Sequence, residues 1–368
     1  MSGKYVFYAW PLSYYSGKLR AYLNYKAIPY VETPPRLWTF RKLKEKAGAG
    51  AIPVIVTPEG EWLQDTADMI DRLEQRFPKS PVVPSSPRQQ IAAHIFEAWG
   101  DEFWVPSAMH YRWSFAENFA QLFQREAGDF LLPFAPRFLK NRLALKPASL
   151  MRSFVPGLGV VPPQIETIER WTTSMLDHLD EHFATTPYLL GARPSIGDFG
   201  LIGPLFAHLG RDPYPKRVLV DPRPHLKKWI ARMQSPDHPL GGDFLANDEV
   251  PRTLDPIFAS IFAEFWPFLA RTQDEVTKAL PALQPGRGFR RSLGEVEFPT
   301  SGKSFKRLST PFSLWKIQRA LDAFAAMPRE HQGAVKGWLD SVDGAGAMGL
   351  RVTPRLKRMG LHVMPEIT

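Results

Sequence analysis

Cysteine is absent from all 368 residues, so the chain holds no disulfide, no cysteine-based zinc or iron–sulfur centre and no thiol nucleophile of its own. Any sulfur chemistry must borrow its sulfur. Also missing is a run of about 18 apolar residues, the length a helix needs to cross a bilayer, so no integral membrane association is expected. Residues 1–12 carry one lysine, aromatics and Pro11 where a secretory leader needs an apolar stretch and a small-residue cleavage site; a cytoplasmic location is expected. Gly-rich phosphate loops, a Gly-x-Ser-x-Gly elbow and an HExxH frame are lacking too, which sets aside the common nucleotide-binding, serine-hydrolase and zinc-protease patterns.

What is present describes a chain with real cores. It is 44% hydrophobic, 12% aromatic and 23% charged, and its length favours two or three domains. The formal charge of +9 is uneven: residues 251–368 hold 17 Lys+Arg against 11 Asp+Glu. Arg287, Arg290, Arg291, Lys303, Lys306 and Arg307 form a basic cluster, interrupted by Glu295 and Glu297. Without a nucleic-acid signature beside it, the cluster reads as a solvated basic face and no nucleic-acid partner is expected. His178 and His182 stand one helical turn apart but lack a third ligand, so no metal is expected.

Residues 4–10 read as a strand, Tyr15 to Lys26 as a helix, Ile28 to Glu32 as a strand and Leu37 to Lys46 as a basic helix. Val54 to Thr57 and Glu61 to Leu63 read as a hairpin, and Thr66 to Arg76 as a helix. That order, βαβα-ββα, describes a small α/β domain with one mixed sheet. Residues 77–87, FPKSPVVPSSP, mark a linker. Helical patterns follow at 88–104, 164–183, 195–209 and 225–233, with 119–160 broken at Pro133, Pro136, Pro147 and Pro156. Beyond Pro251, residues 255–280 read as one aromatic amphipathic helix, 289–308 as a possible hairpin, and 312–327 and 330–341 as helices. The domains expected are 1–78, 88–240 and 251–368.

Four short segments carry chemistry. The first β–α turn is Pro11-Leu12-Ser13-Tyr14-Tyr15-Ser16-Gly17. Ala51-Ile52-Pro53-Val54 opens a strand on a proline, which lacks the ladder donor. Asp65-Thr66 begins a helix, where a carboxylate or hydroxyl caps free amides and where the amides also attract an anion. Gly191-Ala192-Arg193-Pro194-Ser195-Ile196-Gly197-Asp198-Phe199 has the form of a capping box with a staple.

In this order the four segments resemble the glutathione transferase family over about residues 4–235. The resemblance implies an α/β thioredoxin-like N-terminal domain and an all-α C-terminal domain, here followed by an additional mostly helical extension. It implies glutathione as co-substrate, no metal, a small hydrophobic electrophile as second substrate, and a homodimer with a role in detoxification. Ser13 falls at the active-site turn, with Tyr14 and Ser16 as alternative hydroxyls. Ile52 and Pro53 match the cis-proline loop, and Asp65 with Thr66 the pair that holds the γ-glutamyl end. Tyr15, Trp104, His110 and Trp113 are the expected substrate contacts. The reaction implied is conjugation, or glutathione-dependent ether cleavage or isomerisation. The alternative is a non-catalytic protein of the same fold that uses its basic extension for binding.

Overall fold

The computed structural model describes residues 3–48, 50–236 and 241–366; the boundary expected at residue 240 lies outside them. In chain order the elements are β1 (Tyr5–Tyr8), α1 (Tyr14–Tyr25), β2 (Tyr30–Thr33), α2 (Thr39–Ala47), β3 (Val54–Val56), β4 (Trp62–Gln64) and α3 (Thr66–Arg76), then α4 (Pro87–Glu102), α5 (Val105–Trp113), α6 (Ala116–Asn118), α7 (Gln124–Leu131), α8 (Arg137–Phe154) and α9 (Ile165–Thr185). They continue with α10 (Ile196–Pro204), α11 (Pro213–Pro215), α12 (Pro224–Gln234), α13 (Asp255–Ser260), α14 (Trp266–Ala279), β5 (Glu295–Thr300), β6 (Lys303–Leu308), α15 (Pro311–Ala325), α16 (Arg329–Asp340), β7 (Leu356–Met359) and β8 (His362–Pro365). They group into two compact units. The first comprises residues 1–81, 108–155 and 201–241; the second 82–107, 156–200 and 242–368.

In the first unit the thioredoxin-like sheet has the order β2-β1-β3-β4. β1 runs parallel to β2 and antiparallel to β3, which pairs antiparallel with β4. Phe7, Leu19, Leu23, Ile55 and Ile70 close its core at zero exposure. The register sets Tyr8 beside Val54 and Val54 beside Gln64. The end of β1, the start of β3 and the end of β4 therefore meet at one edge of the sheet, and the segments that leave them, around Ser13, Pro53 and Asp65, cluster there. Pro147 does not end a helix as expected. It sits inside α8, flanked by Ala144 and Ala148, whose complete burial holds the turn that the missing donor weakens.

The second unit joins α4 and α9 to the extension. Its centre is aromatic: Trp99 lies 5.4 Å from Trp104 and 5.9 Å from Trp171, Phe96 lies 4.8 Å from Phe258, and Phe103 lies 5.4 Å from Phe265. The aromatics of 255–280 thus bury against α4 along a helical run that contains one π-helical turn. A π-turn at Ile261–Phe265 separates α13 from α14. β5 and β6 form the expected hairpin, with Phe298 opposite Phe305. β7 and β8 form a second hairpin that the sequence did not suggest; it contains a single β-branched residue, Val363, and is pinned where Gln318 exchanges hydrogen bonds with the Leu356 backbone at 3.0 and 2.9 Å.

Asp198 accepts from both the amide and the hydroxyl of Ser195 at 2.8 Å, and from the Leu189 amide at 3.0 Å. The box closes inside the protein, where unpaired groups would be costly. The basic face expected on the extension is partly dissolved. Lys303 pairs with Glu166 and Lys306 with Glu297. Arg307 is buried, 3.9 Å over the Phe268 ring, with both terminal nitrogens 3.4 Å from the Glu102 carbonyl.

α4 meets the extension through charges as well as rings. Lys316 pairs with Asp101 at 2.9 Å, with both side chains sealed from solvent, and Ser313 donates to Glu102 at 2.7 Å. Burial pushes the Glu102 carboxyl up to about 7, against the Ser313 hydrogen bond and the nearby Lys316 and Arg307. Between pH 4.5 and 7 the native state therefore keeps a proton that the unfolded chain has released. Stability is expected to fall as pH rises through that window, by at most about 1.4 kcal/mol per pH unit. Urea midpoints at about pH 5 and about pH 8 check this: Glu102→Gln is expected to flatten the slope, and an unchanged slope would assign it to another group.

Candidate functional site

The turn between β1 and α1 is built from its own hydrogen bonds. The Ser13 amide donates to the Trp10 carbonyl at 3.0 Å. Ser13 caps α1 from extended geometry, its Oγ accepting from the Ser16 amide at 3.3 Å. Ser16 is fully buried, and its Oγ accepts from the Trp10 amide at 3.4 Å. The two serines thus differ in kind. Ser16 closes the turn from inside, whereas Ser13 is half-buried at the helix start. Tyr14 is buried, its ring 4.8 Å from Tyr15 and 5.7 Å from His208.

A buried ion pair supports this turn. Arg112 donates to both carboxylate oxygens of Asp212, at 2.8 and 2.9 Å, to the Leu12 carbonyl at 2.6 Å, and to the Ala207 carbonyl. The fork and its extra donors suit this triple duty. Burial pushes the Asp212 carboxyl up, and the Arg112 guanidinium opposes it. Burial and the Arg112 charge hold His208 well below the usual histidine range, so the ring against Tyr14 is neutral.

At the neighbouring sheet end the Ile52–Pro53 bond is cis, as the resemblance implied. Gln64 donates from Nε2 to the Ala51 carbonyl at 3.2 Å, joining the loop to β4. Asp65 has φ 74° and ψ 126°, a strained conformation for a residue with a side chain. It caps α3 through Oδ1, which accepts from the Ala67 amide at 2.9 Å and the Asp68 amide at 3.3 Å. Thr66 is 2% exposed, and neither its Oγ1 nor the Oε1 of Gln64 meets a hydrogen-bond partner among the described residues. Two orphaned buried polar atoms flank one strained cap, where natural structures seldom leave any.

The expected substrate contacts divide. Trp113 is half-buried beside Leu12, Phe123 and Ala127, its ring 4.7 Å from Phe123. His110 is buried, with Nδ1 2.9 Å from the Ser114 hydroxyl and its ring against Tyr111 and Phe115; it is a packed histidine. Trp104 belongs to the second unit and is wholly enclosed, 4.8 Å from Trp171. His182 uses both ring nitrogens, on Thr253 at 2.7 Å and the Tyr188 carbonyl at 3.1 Å, so it cannot pair with His178 as a ligand. Among the described residues no group of three metal-binding side chains forms.

The sequence reading passed over Arg112, Asp212, His208 and Gln64. Arg112 stands between His110 and Trp113 in sequence, but its partner lies 100 residues away, and a lone arginine among such residues reads as surface. Only Gln64 carried a usable signal, as a polar side chain ending a buried strand.

Two family descriptions match this chain: "Glutathione S-transferase, N-terminal domain" over residues 7–81 and "Glutathione S-transferase, C-terminal domain" over residues 173–232. Both are domains of the glutathione S-transferase family. The first match contains the whole edge of the thioredoxin-like sheet, and the second the Ser195–Asp198 box. The whole extension, residues 251–368, lies beyond both glutathione S-transferase matches. Solved structures with the same likeness include a glutathione S-transferase from Rhodospirillum rubrum, 17% identical over 67% of this chain and 96% of that one, with a TM-score of 0.41. Another, from Methylobacterium radiotolerans in complex with glutathione sulfonate, is 16% identical over 67% and 99%, TM-score 0.40. The beta-etherase LigF from Sphingobium is 18% identical over 64% and 97%, TM-score 0.44. No curated protein matches the chain.

Proposed function

We propose that this chain is a glutathione-dependent transferase whose Ser13 hydroxyl stabilises the thiolate. Residues 1–78 would bind glutathione, 88–240 the second substrate, and 251–368 would complete the helical domain of a cytoplasmic homodimer. One observation carries the reading: the orphaned, buried Thr66 Oγ1 beside the Asp65 cap, at the same sheet end as the Ser13 turn. Glutathione supplies the sulfur nucleophile that a chain without cysteine lacks. The residues fit it. Asp65 offers an anion for an α-ammonium group, Thr66 a donor for a carboxylate at a helix N-terminus, and the strand opened by Ile52 and Pro53 offers backbone groups to a peptide. Ser13 then donates a hydrogen bond to the thiolate sulfur, while Arg112 fixes the adjoining carbonyl.

The second substrate is a hydrophobic electrophile met by Tyr15 and Trp113. Of the three candidate hydroxyls, Ser13 is favoured because Ser16 is sealed inside the turn and Tyr14 is packed against His208. Calorimetry tests the binding half. Thr66→Val, nearly isosteric, removes a hydrogen bond to a charged group worth about 1.5–3 kcal/mol, so the glutathione Kd is expected to rise roughly 10- to 150-fold. Absence of binding by the unaltered protein at millimolar glutathione would leave the fold without this chemistry and favour the non-catalytic alternative.

A further inference from the structure

Helix α8 is inverted. The side chains it buries are small, Ala144 and Ala148, while Phe138, Leu139, Leu145, Leu150 and Phe154 are exposed, along with Phe134 just before it at 98%. A helix that only serves its own core turns its large apolar residues inward. Its charge is as one-sided as its apolarity: residues 134–155 contain Arg137, Lys140, Arg142, Lys146 and Arg152 and no acidic residue. Arg137 and Lys140 share Asp129, and Arg152 lies over the Trp113 and Phe119 rings. Arg142 and Lys146 are exposed and meet no acidic partner among the described residues. The surface continues within the same unit: the Leu37 amide donates to the Leu131 carbonyl at 3.4 Å, which sets exposed Leu37 and Trp38 at the end of α7, with the basic α2 following.

We propose that α8, with Phe134 and Trp38, is a docking surface for an anionic phospholipid membrane, on which the helix lies in the interfacial plane. Large apolar side chains interspersed with lysine and arginine are what that interface selects: the rings and leucines enter the acyl boundary, and the cations meet lipid phosphates. Spanning is not at issue, since among the described residues no helix is long and apolar enough to cross a membrane. Charge disfavours a second copy as the occupant, because a two-fold contact would set this all-cationic patch against itself. Leucine-rich apolarity disfavours nucleic acid, whose binding grooves pair cations with stacking rings. The proposal is independent of the glutathione reading.

Co-sedimentation of the full chain with vesicles tests it. Binding is expected to vesicles of phosphatidylcholine with phosphatidylserine and not to phosphatidylcholine alone, with release by salt. The double variant Arg142→Glu with Lys146→Glu, at exposed unpartnered positions, is expected to lower vesicle affinity at least about tenfold while thermal unfolding stays unchanged. Phe138→Ser with Leu145→Ser should do the same by removing the inserted side chains. Equal binding to both vesicle types, or indifference to the charge reversal, overturns the proposal. So does a dimer that Phe138→Asp dissociates with no vesicle binding, or retention on DNA with none.

Discussion

Arg112→Leu is expected to lower the unfolding free energy by about 3–5 kcal/mol, the usual result of leaving one member of a buried ion pair alone. Asp212, at 1% exposure, would keep its desolvation and lose both charge-assisted hydrogen bonds, and the Leu12 and Ala207 carbonyls would lose their donor. Asp212→Leu should also be costly, whereas the double variant is expected to recover much of the loss, since an apolar pair of similar volume needs no counter-charge. Denaturant midpoints for the four proteins of that cycle measure the coupling. The pH dependence has a definite sign. Burial already holds the Asp212 carboxyl above its ordinary value, and without the guanidinium that opposes it the native pKa rises further. The Arg112→Leu protein then loses stability as pH rises, and its deficit is smaller in acid than at neutrality. A deficit below about 1 kcal/mol, or one insensitive to pH, would show that water reaches the pair. Glutathione affinity should fall with it, because Leu12 precedes the capping serine.

Ser13→Ala is expected to lower turnover by roughly 10²- to 10³-fold, the loss seen when one positioned donor to a developing anion is removed. A free thiol titrates near about 8.5, and bringing it down by about two units takes roughly 2.7 kcal/mol of preference for the anion. A hydrogen bond to a charged group contributes about 1.5–3 kcal/mol and a helix N-terminus about 0.3–1, so this hydroxyl at the head of α1 is adequate without a metal. Because Ser13 is also an N-cap, its loss should cost about 1 kcal/mol of stability, and stability alone does not distinguish the roles. The pH–rate profile does: its lower limb should move toward alkaline pH, with part of the lost rate restored near pH 9 to 10. Ser16→Ala is expected to destabilise the turn and leave that limb in place. A profile that stays fixed in the Ser13 variant would remove the hydroxyl from the chemistry.

The order of β1 to β4 and α1 to α3 was legible because each element obeys its own periodicity and is bounded by glycine, proline or a cap; the observed bounds differ from the expected ones by a few residues. The Ser13 turn, the cis-proline and the Asp65 cap were legible as motifs for the same reason, since each is made by neighbours in sequence. What escaped was non-local. Nothing in the run Met109 to Trp113 tells Arg112 that its partner is Asp212. Pro147 reads as a break because the compensating burial of Ala144 and Ala148 comes from packing, and Trp104 and His110 read as substrate contacts because aromatic richness does not distinguish a pocket wall from a core. Arg307 was taken for a surface cation; its ring partners, Phe103 and Phe268, come from two other elements.

The ionic joint between α4 and the extension also sets a timetable for biosynthesis. Glu102 and Ser313 are 211 residues apart, and a ribosome adding about 5–20 residues per second needs roughly 10 to 40 seconds to cover that distance. Throughout that interval Asp101 and Glu102 stay without Lys316 and Ser313. The nascent second unit therefore cannot close this joint before residues 313–316 have been made. Until then Asp101 lacks the counter-charge that its sealed position requires.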